Sequence, residues 1–401
     1  MFLAPRMAIG AILFVLALSW TTYAIYLPQL AKAAGIPVSF VPWLLAIDQI
    51  IFALADWASG AYADRTLAVM RRLVPTLLLL TFISTMAFAL LPVIGPALGP
   101  DGFFFMTITW VVTTAALRAP PMAMLGSYVP PAARPSFAAA STLTLALAAA
   151  IAPYLGKAIR EIDPRWPFMI SALAVMGAAL GLYHVERTMN RISGMPSQTG
   201  DSSWLPRIPA FMAMALLLAL GFQSQVLMLP AQLTRAVPKD LIENYLPLFW
   251  AAFAIAGAMA AVIFKRIDRK PAMIVGSIVA AAGALLAAIA TTAPLISVAH
   301  LTAGGAWGVL MTGLFAIALA HGATGAAGRA AGIVFGALAL TAFARIAVGA
   351  MGWTGSPVAG ERLAWMPSVA WLAGALLIAL TWSGRRAVQT SRGAAKTGYS
   401  R

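Results

Sequence analysis

Long apolar stretches alternate with short polar connections along this chain, and the length of the stretches decides what they are. A helix that crosses a bilayer needs about 20 mostly apolar residues, because each adds about 1.5 Å and every backbone polar group must be satisfied within the segment. Twelve stretches reach that length. In the first half they are Met7–Leu27, Val38–Gly60, Leu73–Ile94, Phe103–Leu125, Ser136–Gly156 and Trp166–His184. In the second they are Ile208–Leu229, Tyr245–Phe264, Pro271–Thr291, Leu295–Ala320, Ala330–Ala350 and Leu363–Ser383. No charged residue falls between Pro271 and Gly328, so the ninth and tenth are divided at Thr291, Thr292 and Pro294, a turn-forming run. The pattern predicts an all-α membrane protein of 12 transmembrane helices. Arg6 ahead of an apolar run imitates a secretory leader, but the uncharged stretch continues to Ala31 and reads as a first span.

The connections set the orientation. With the N-terminus in the cytoplasm, the cytoplasmic segments hold 18 Lys and Arg, the periplasmic ones hold 7, and two lie within spans. Acidic residues show no such bias, as expected when basic residues alone fix topology. Both termini are therefore expected in the cytoplasm, in a bacterial inner membrane. Composition agrees, since 61% of residues are apolar and only 10% charged, whereas soluble domains carry about a quarter charged residues. The net charge of +15 is explained by loop placement, which leaves nucleic acid without support as a partner. The chain has no cysteine, so thiol chemistry is excluded. His184, His300 and His321 are not spaced as a metal site. No metal or cofactor is expected, and no nucleophile-and-base arrangement indicates an enzyme.

Two halves emerge from internal repetition. Tyr26-Leu27-Pro28-Gln29-Leu30 closes the first span, and Met228-Leu229-Pro230-Ala231-Gln232-Leu233 closes the seventh. Asp64-Arg65 follows the second span as Asp268-Arg269 follows the eighth, and Arg134 precedes the fifth as Arg329 precedes the eleventh. The common order predicts a parallel six-plus-six repeat. The expected divisions are an N-terminal bundle over 1–184, a polar linker over 185–207, a C-terminal bundle over 208–384 and a basic tail over 385–401.

At Gly60-x-x-x-Asp64-Arg65 the sequence resembles the major facilitator superfamily, whose signature loop follows the second span. The family's second glycine is replaced by Leu67, and the basic pair Arg71 and Arg72 lies a few residues late. Ala152-Pro153-Tyr154-Leu155-Gly156 resembles the Gly-Pro-x-x-Gly element of proton-coupled exporters, with alanine for the first glycine. The resemblance implies two pseudo-symmetric six-helix bundles that rock about a midplane site. It also implies a gating role for Asp56, Gly60, Asp64, Arg65, Arg71, Arg72 and their second-half counterparts Asp268 and Arg269. Asp56 and Asp64 would hold the cytoplasmic side shut by pairing with basic residues or a helix end.

Four ionisable side chains fall inside spans: Asp48, Asp56, Arg118 and Arg345. An unpaired charge at mid-helix costs about 2.5–3.5 kcal/mol on translocon scales, so all four should face protein or a water-filled cavity. Asp56, Gly60 and Asp64 recur every four residues on one stripe, whereas Asp48 lies ~120° from Gly60 around the axis. Asp48 is the carboxylate expected to carry a coupling proton, with Arg118 as its partner, either as a switch or as a permanent ion pair. Pro120 and Pro121 after Arg118 should break the fourth helix. Arg345 has two readings, contact with an anionic substrate or extension toward the periplasmic side. Trp20, Tyr23, Gln223 and Gln225 end the first and seventh spans. The first two, three residues apart, can share a cavity, and the glutamines, ~200° apart, cannot.

The function expected is secondary transport of a small-molecule substrate by a monomer, driven by the proton gradient and directed toward efflux. Two alternatives stay open. One is facilitated diffusion or symport of an organic anion, and the other is a membrane scaffold that carries no flux.

Overall fold

The computed structural model describes residues 3–70, 73–193 and 205–382. Its helices are α1 (Leu3–Ala33), α2 (Val41–Met70), α3 (Val74–Ile94), α4 (Gly99–Ala115), α5 (Ala119–Tyr128), α6 (Arg134–Ile159) and α7 (Arg165–Ser193). They continue with α8 (Ile208–Ala236), α9 (Ile242–Arg266), α10 (Arg269–Ile289), α11 (Ala293–Ala320), α12 (Ala327–Ala350) and α13 (Pro357–Thr381). Among the described residues 12 helical segments are long and apolar enough to cross a membrane, with α4 and α5 forming one broken span. The break follows from Pro120 and Pro121 in the first turn of α5, where neither ring nitrogen can donate to the preceding turn. An even number of spans returns Trp382 to the end at which Leu3 starts, called here the terminal face.

Most helices overrun their expected spans. Hydropathy measures only the part that crosses hydrocarbon, whereas local backbone hydrogen bonding carries a helix on through the headgroup layer. One overrun enters the expected linker. Its first nine residues are the end of α7, which reaches Ser193. The rest of that connection, residues 194–204, and the basic tail lie outside the described residues.

Packing follows the repeat. Within the first half α1 packs on α6 and α7, and α3 on α4 and α7; the counterparts are α8 on α12 and α13, and α10 on α11 and α13. Across the halves α2 packs along α12, and its counterpart α9 packs along α6, so equivalent helices make these two contacts between the halves. Large apolar side chains such as Leu54, Leu79, Ile255 and Leu380 are exposed on the outer surface, as a lipid-facing belt requires.

The halves meet most closely toward the terminal face. Gly60 of α2 lies against Gly328 of α12, and a Cβ on either would strike the other's carbonyl. At a second crossing a Cβ on Gly322, beyond α11, would strike the carbonyl of Gly126 of α5, and one on Gly126 would strike Ala327. Two backbones can approach this closely only where no side chain intervenes.

Candidate functional site

A cavity of about 470 Å³ lies between the halves. Trp20 and Thr21 of α1, Gln49 and Phe52 of α2, and Arg118 at the head of α5 line one side. Phe222 and Gln223 of α8, Trp250 of α9, Trp307 of α11, and Phe335 and Arg345 of α12 line the other. The wall is chiefly aromatic and aliphatic, with two guanidinium groups set into it. Pro153, from the Ala152–Gly156 element, also lines the cavity, and Gly156 packs against Ile25 of α1.

The two arginines are in different electrostatic situations. Arg118 donates from Nε to Asp56 Oδ1 at 3.1 Å and from an amino nitrogen to Asp56 Oδ2 at 2.5 Å. Its guanidinium carbon lies 4.3 Å from the ring centre of Phe52 and 5.6 Å from that of Phe335, so aromatic faces from both halves enclose it. Arg345 donates from Nε to Gln223 Oε1 at 2.8 Å. Among the described residues no carboxylate forms an ion pair with Arg345. The cavity therefore holds one neutralised cation and one unmatched cation.

The expected Asp48–Arg118 pair does not form. Asp48 is buried and accepts a hydrogen bond from the Tyr23 hydroxyl at 2.9 Å, while Asp56, eight residues further along α2, takes the arginine. Eight residues are ~12 Å of helix, more than one side chain spans. Asp56 thus pairs with a basic residue, and that residue belongs to its own half. The other half touches its backbone, where Gly332 packs against the Asp56 carbonyl.

Trp20 and Tyr23 are also separated. Trp20 lines the cavity, whereas Tyr23 is fully buried against Trp110, its ring centre 4.7 Å away. Of the two glutamines, Gln223 lines the cavity and Gln225 is buried, donating to Gln232 Oε1 at 2.9 Å.

At the terminal face Asp64 accepts hydrogen bonds from the backbone nitrogens of Gly328 at 2.7 Å and Arg329 at 2.9 Å. An anionic side chain from the first half thus occupies the electropositive N-terminus of α12 in the second. The Arg329 side chain approaches the same carboxylate at 3.6 Å. Asp268 has no equivalent docking, for it is exposed at the start of α10 and its side chain makes no capping hydrogen bond. Arg269, at the first position of α10, is half-buried and Arg65 is exposed. Arg71 and Arg72 lie outside the described residues.

Several lining residues escaped the sequence reading, notably Gln49, Phe52, Phe222, Trp250, Trp307 and Phe335. Aromatic residues are so frequent among spans that only packing separates a cavity wall from a lipid face. Buried Arg134 was recognised as a repeat landmark but not as a link between the halves. It donates to the Val129 and Gly126 carbonyls at 3.2 and 3.1 Å, and to Ala320 of the second half at 3.5 Å.

No curated protein sequence matches the chain. Among solved structures it is similar to the human organic anion transporter MFSD10, with 15% identity, a TM-score of 0.71, and 94% of this chain and 99% of the other covered. The proton:xylose symporter XylE aligns with 11% identity, a TM-score of 0.70 and 94% of both chains covered. The fucose transporter FucP in the outward conformation aligns with 14% identity, a TM-score of 0.64, and 94% and 98% covered. The sequence model of the Major Facilitator Superfamily matches residues 9–344. With that match spanning most of the chain, and 12 spans around a cavity between two related halves, the protein belongs to the Major Facilitator Superfamily and is a secondary transporter of a small solute.

Proposed function

We propose that this transporter carries a small organic anion with an apolar body, in symport with a proton. The observation that carries the reading is Arg345, a guanidinium in the cavity wall with a neutral glutamine as its partner. A cation kept from water without a counter-charge is unfavourable, and an anionic ligand relieves it. The surrounding Phe222, Trp250, Phe335 and Trp20 suit an apolar body and offer few polar partners. The similarity to MFSD10, described as an organic anion transporter, runs in the same direction.

The proton is assigned to Asp48. Arg118 is engaged by Asp56, so Asp48 is a buried carboxylate with a tyrosine donor and no ion pair among the described residues. Such a group is most easily accommodated protonated, and a proton carried with the anion leaves the translocated pair neutral. The similar proteins XylE and FucP are described as proton symporters. The excess of basic residues in the terminal-face connections supports a cytoplasmic assignment for both chain ends. On that assignment, closure at the terminal face makes this the outward-facing state.

Binding is tested on the purified protein by thermal shift, with a panel of organic acids beside their uncharged amides. Acids should stabilise it and amides should not; equal stabilisation, or none by any acid, rejects the anion. Coupling is tested with a stabilising acid in proteoliposomes. Uptake should rise when the outside is made acidic and should lose that response in Asp48→Asn. Proton-coupled efflux predicts the opposite response to the imposed gradient.

A further inference from the structure

The antiparallel helices α8 and α11 carry a column of buried polar atoms that the protein does not satisfy. They are Gln225 Oε1, Gln232 Nε2, His300 Nδ1 and Trp307 Nε1. Their residues are sealed, with relative exposures of 0%, 2%, 0% and 0%. The column has a fixed register. His300 Nε2 lies 3.1 Å from Gln232 Oε1, which ties the two helices at one level. Counting seven residues back on α8 gives Gln225, and seven forward on α11 gives Trp307. Seven residues are close to two helical turns, and the Gln225 side chain extends along that rise to donate from Nε2 to Gln232 Oε1 at 2.9 Å, so both amides and the imidazole meet at one level while Trp307 stands ~10 Å nearer the terminal face. The stacked rings of Phe222 and Trp307, 4.6 Å between centres and 6° apart in plane, hold the helices together there.

We infer that this column is an internal binding site for ordered water, behind the wall of the cavity and separate from it. The atoms decide the ligand. Trp307 Nε1 and Gln232 Nε2 donate, and Gln225 Oε1 and the free nitrogen of His300 accept. A metal cation would be repelled by the two N–H groups and an anion by the two acceptors. Turning both amides over moves the unpartnered atoms without removing them. Water alone offers donors and acceptors in a sealed polar space of this kind. The water gives the Trp307 Nε1 donor a partner, and so holds the indole that forms part of the cavity wall.

Hydroxyl-radical footprinting with rapid mixing into oxygen-18 water tests this without reference to what the cavity carries. His300, away from the cavity lining, is the reporter, and exposed His184 is the control. In the native protein His300 should be oxidised and should take up the heavy isotope at least ~10-fold more slowly than His184. In the double variant Gln225→Met, Gln232→Met the oxidation of His300 should fall several-fold. Absence of oxidation at His300 in the native protein, or isotope uptake as fast as at His184, overturns the proposal. If the variant does not fold, the native comparison alone decides.

Discussion

Asp56 of α2 and Arg118 at the head of α5 are joined at two points, Nε to Oδ1 and an amino nitrogen to Oδ2, inside the first half of the molecule. The pair fixes α2 at the place where the fourth span is broken, and the broken turn brings Arg118 to the cavity. Removing one partner of a buried pair leaves the other uncompensated, at about 3–5 kcal/mol. Asp56→Asn and Arg118→Met should each lower the unfolding temperature clearly, and the double variant should lose less than the sum. Additive losses in a double-mutant cycle would mean that the two groups do not depend on each other.

Closure of the terminal face depends on Asp64 at the start of α12. Hydrogen bonds to an ionised group contribute about 1.5–3 kcal/mol each, so Asp64→Asn should shift the balance toward opening at that face by about tenfold or more. The absence of native cysteine permits a single reporter at Ala330, which is fully buried. Maleimide labelling of Ala330→Cys should rise in the Asp64→Asn background. Unchanged labelling would remove Asp64 from the gate.

Gly60 tests the same closure by shape. A valine there would overlap the backbone of Gly328, so Gly60→Val should trap the molecule open at the terminal face while the fold survives. The expected result is rapid labelling at Ala330→Cys with little substrate turnover. Slow labelling together with normal transport would show that the halves do not need to meet at this crossing.

Single-cysteine labelling also checks the orientation. Cysteines in the connection after α2 and in the tail should react from the cytoplasm, and one at Asp163, between α6 and α7, from outside. Reversed reactivity would withdraw the assignment of the present state as outward-facing.

The span count and the repeat were legible because both depend on one-dimensional quantities, the length of apolar runs and the recurrence of short motifs. The broken fourth helix was legible because Pro120 and Pro121 act on their own backbone. Partner choice was not. Helix periodicity separates Asp48 from the Asp56 stripe, but which carboxylate meets Arg118 depends on how far α2 is displaced along its axis relative to α5, and no sequence pattern records that. The same limit explains Tyr23, only three residues from Trp20 yet turned to Asp48 and Trp110. The one-sided gate is a further case, for Asp64 and Asp268 stand in equivalent contexts and only the packing of α2 along α12 distinguishes them.

Binding of an acid by Arg345 variants tests the central claim most directly. With an acid that stabilises the native protein, dissociation constants are measured by calorimetry for the native chain, Arg345→Lys and Arg345→Gln. An unmatched cation that receives the anion predicts that glutamine weakens binding by about 30-fold or more and that lysine keeps part of it. Unchanged affinity in a folded Arg345→Gln protein would contradict the account.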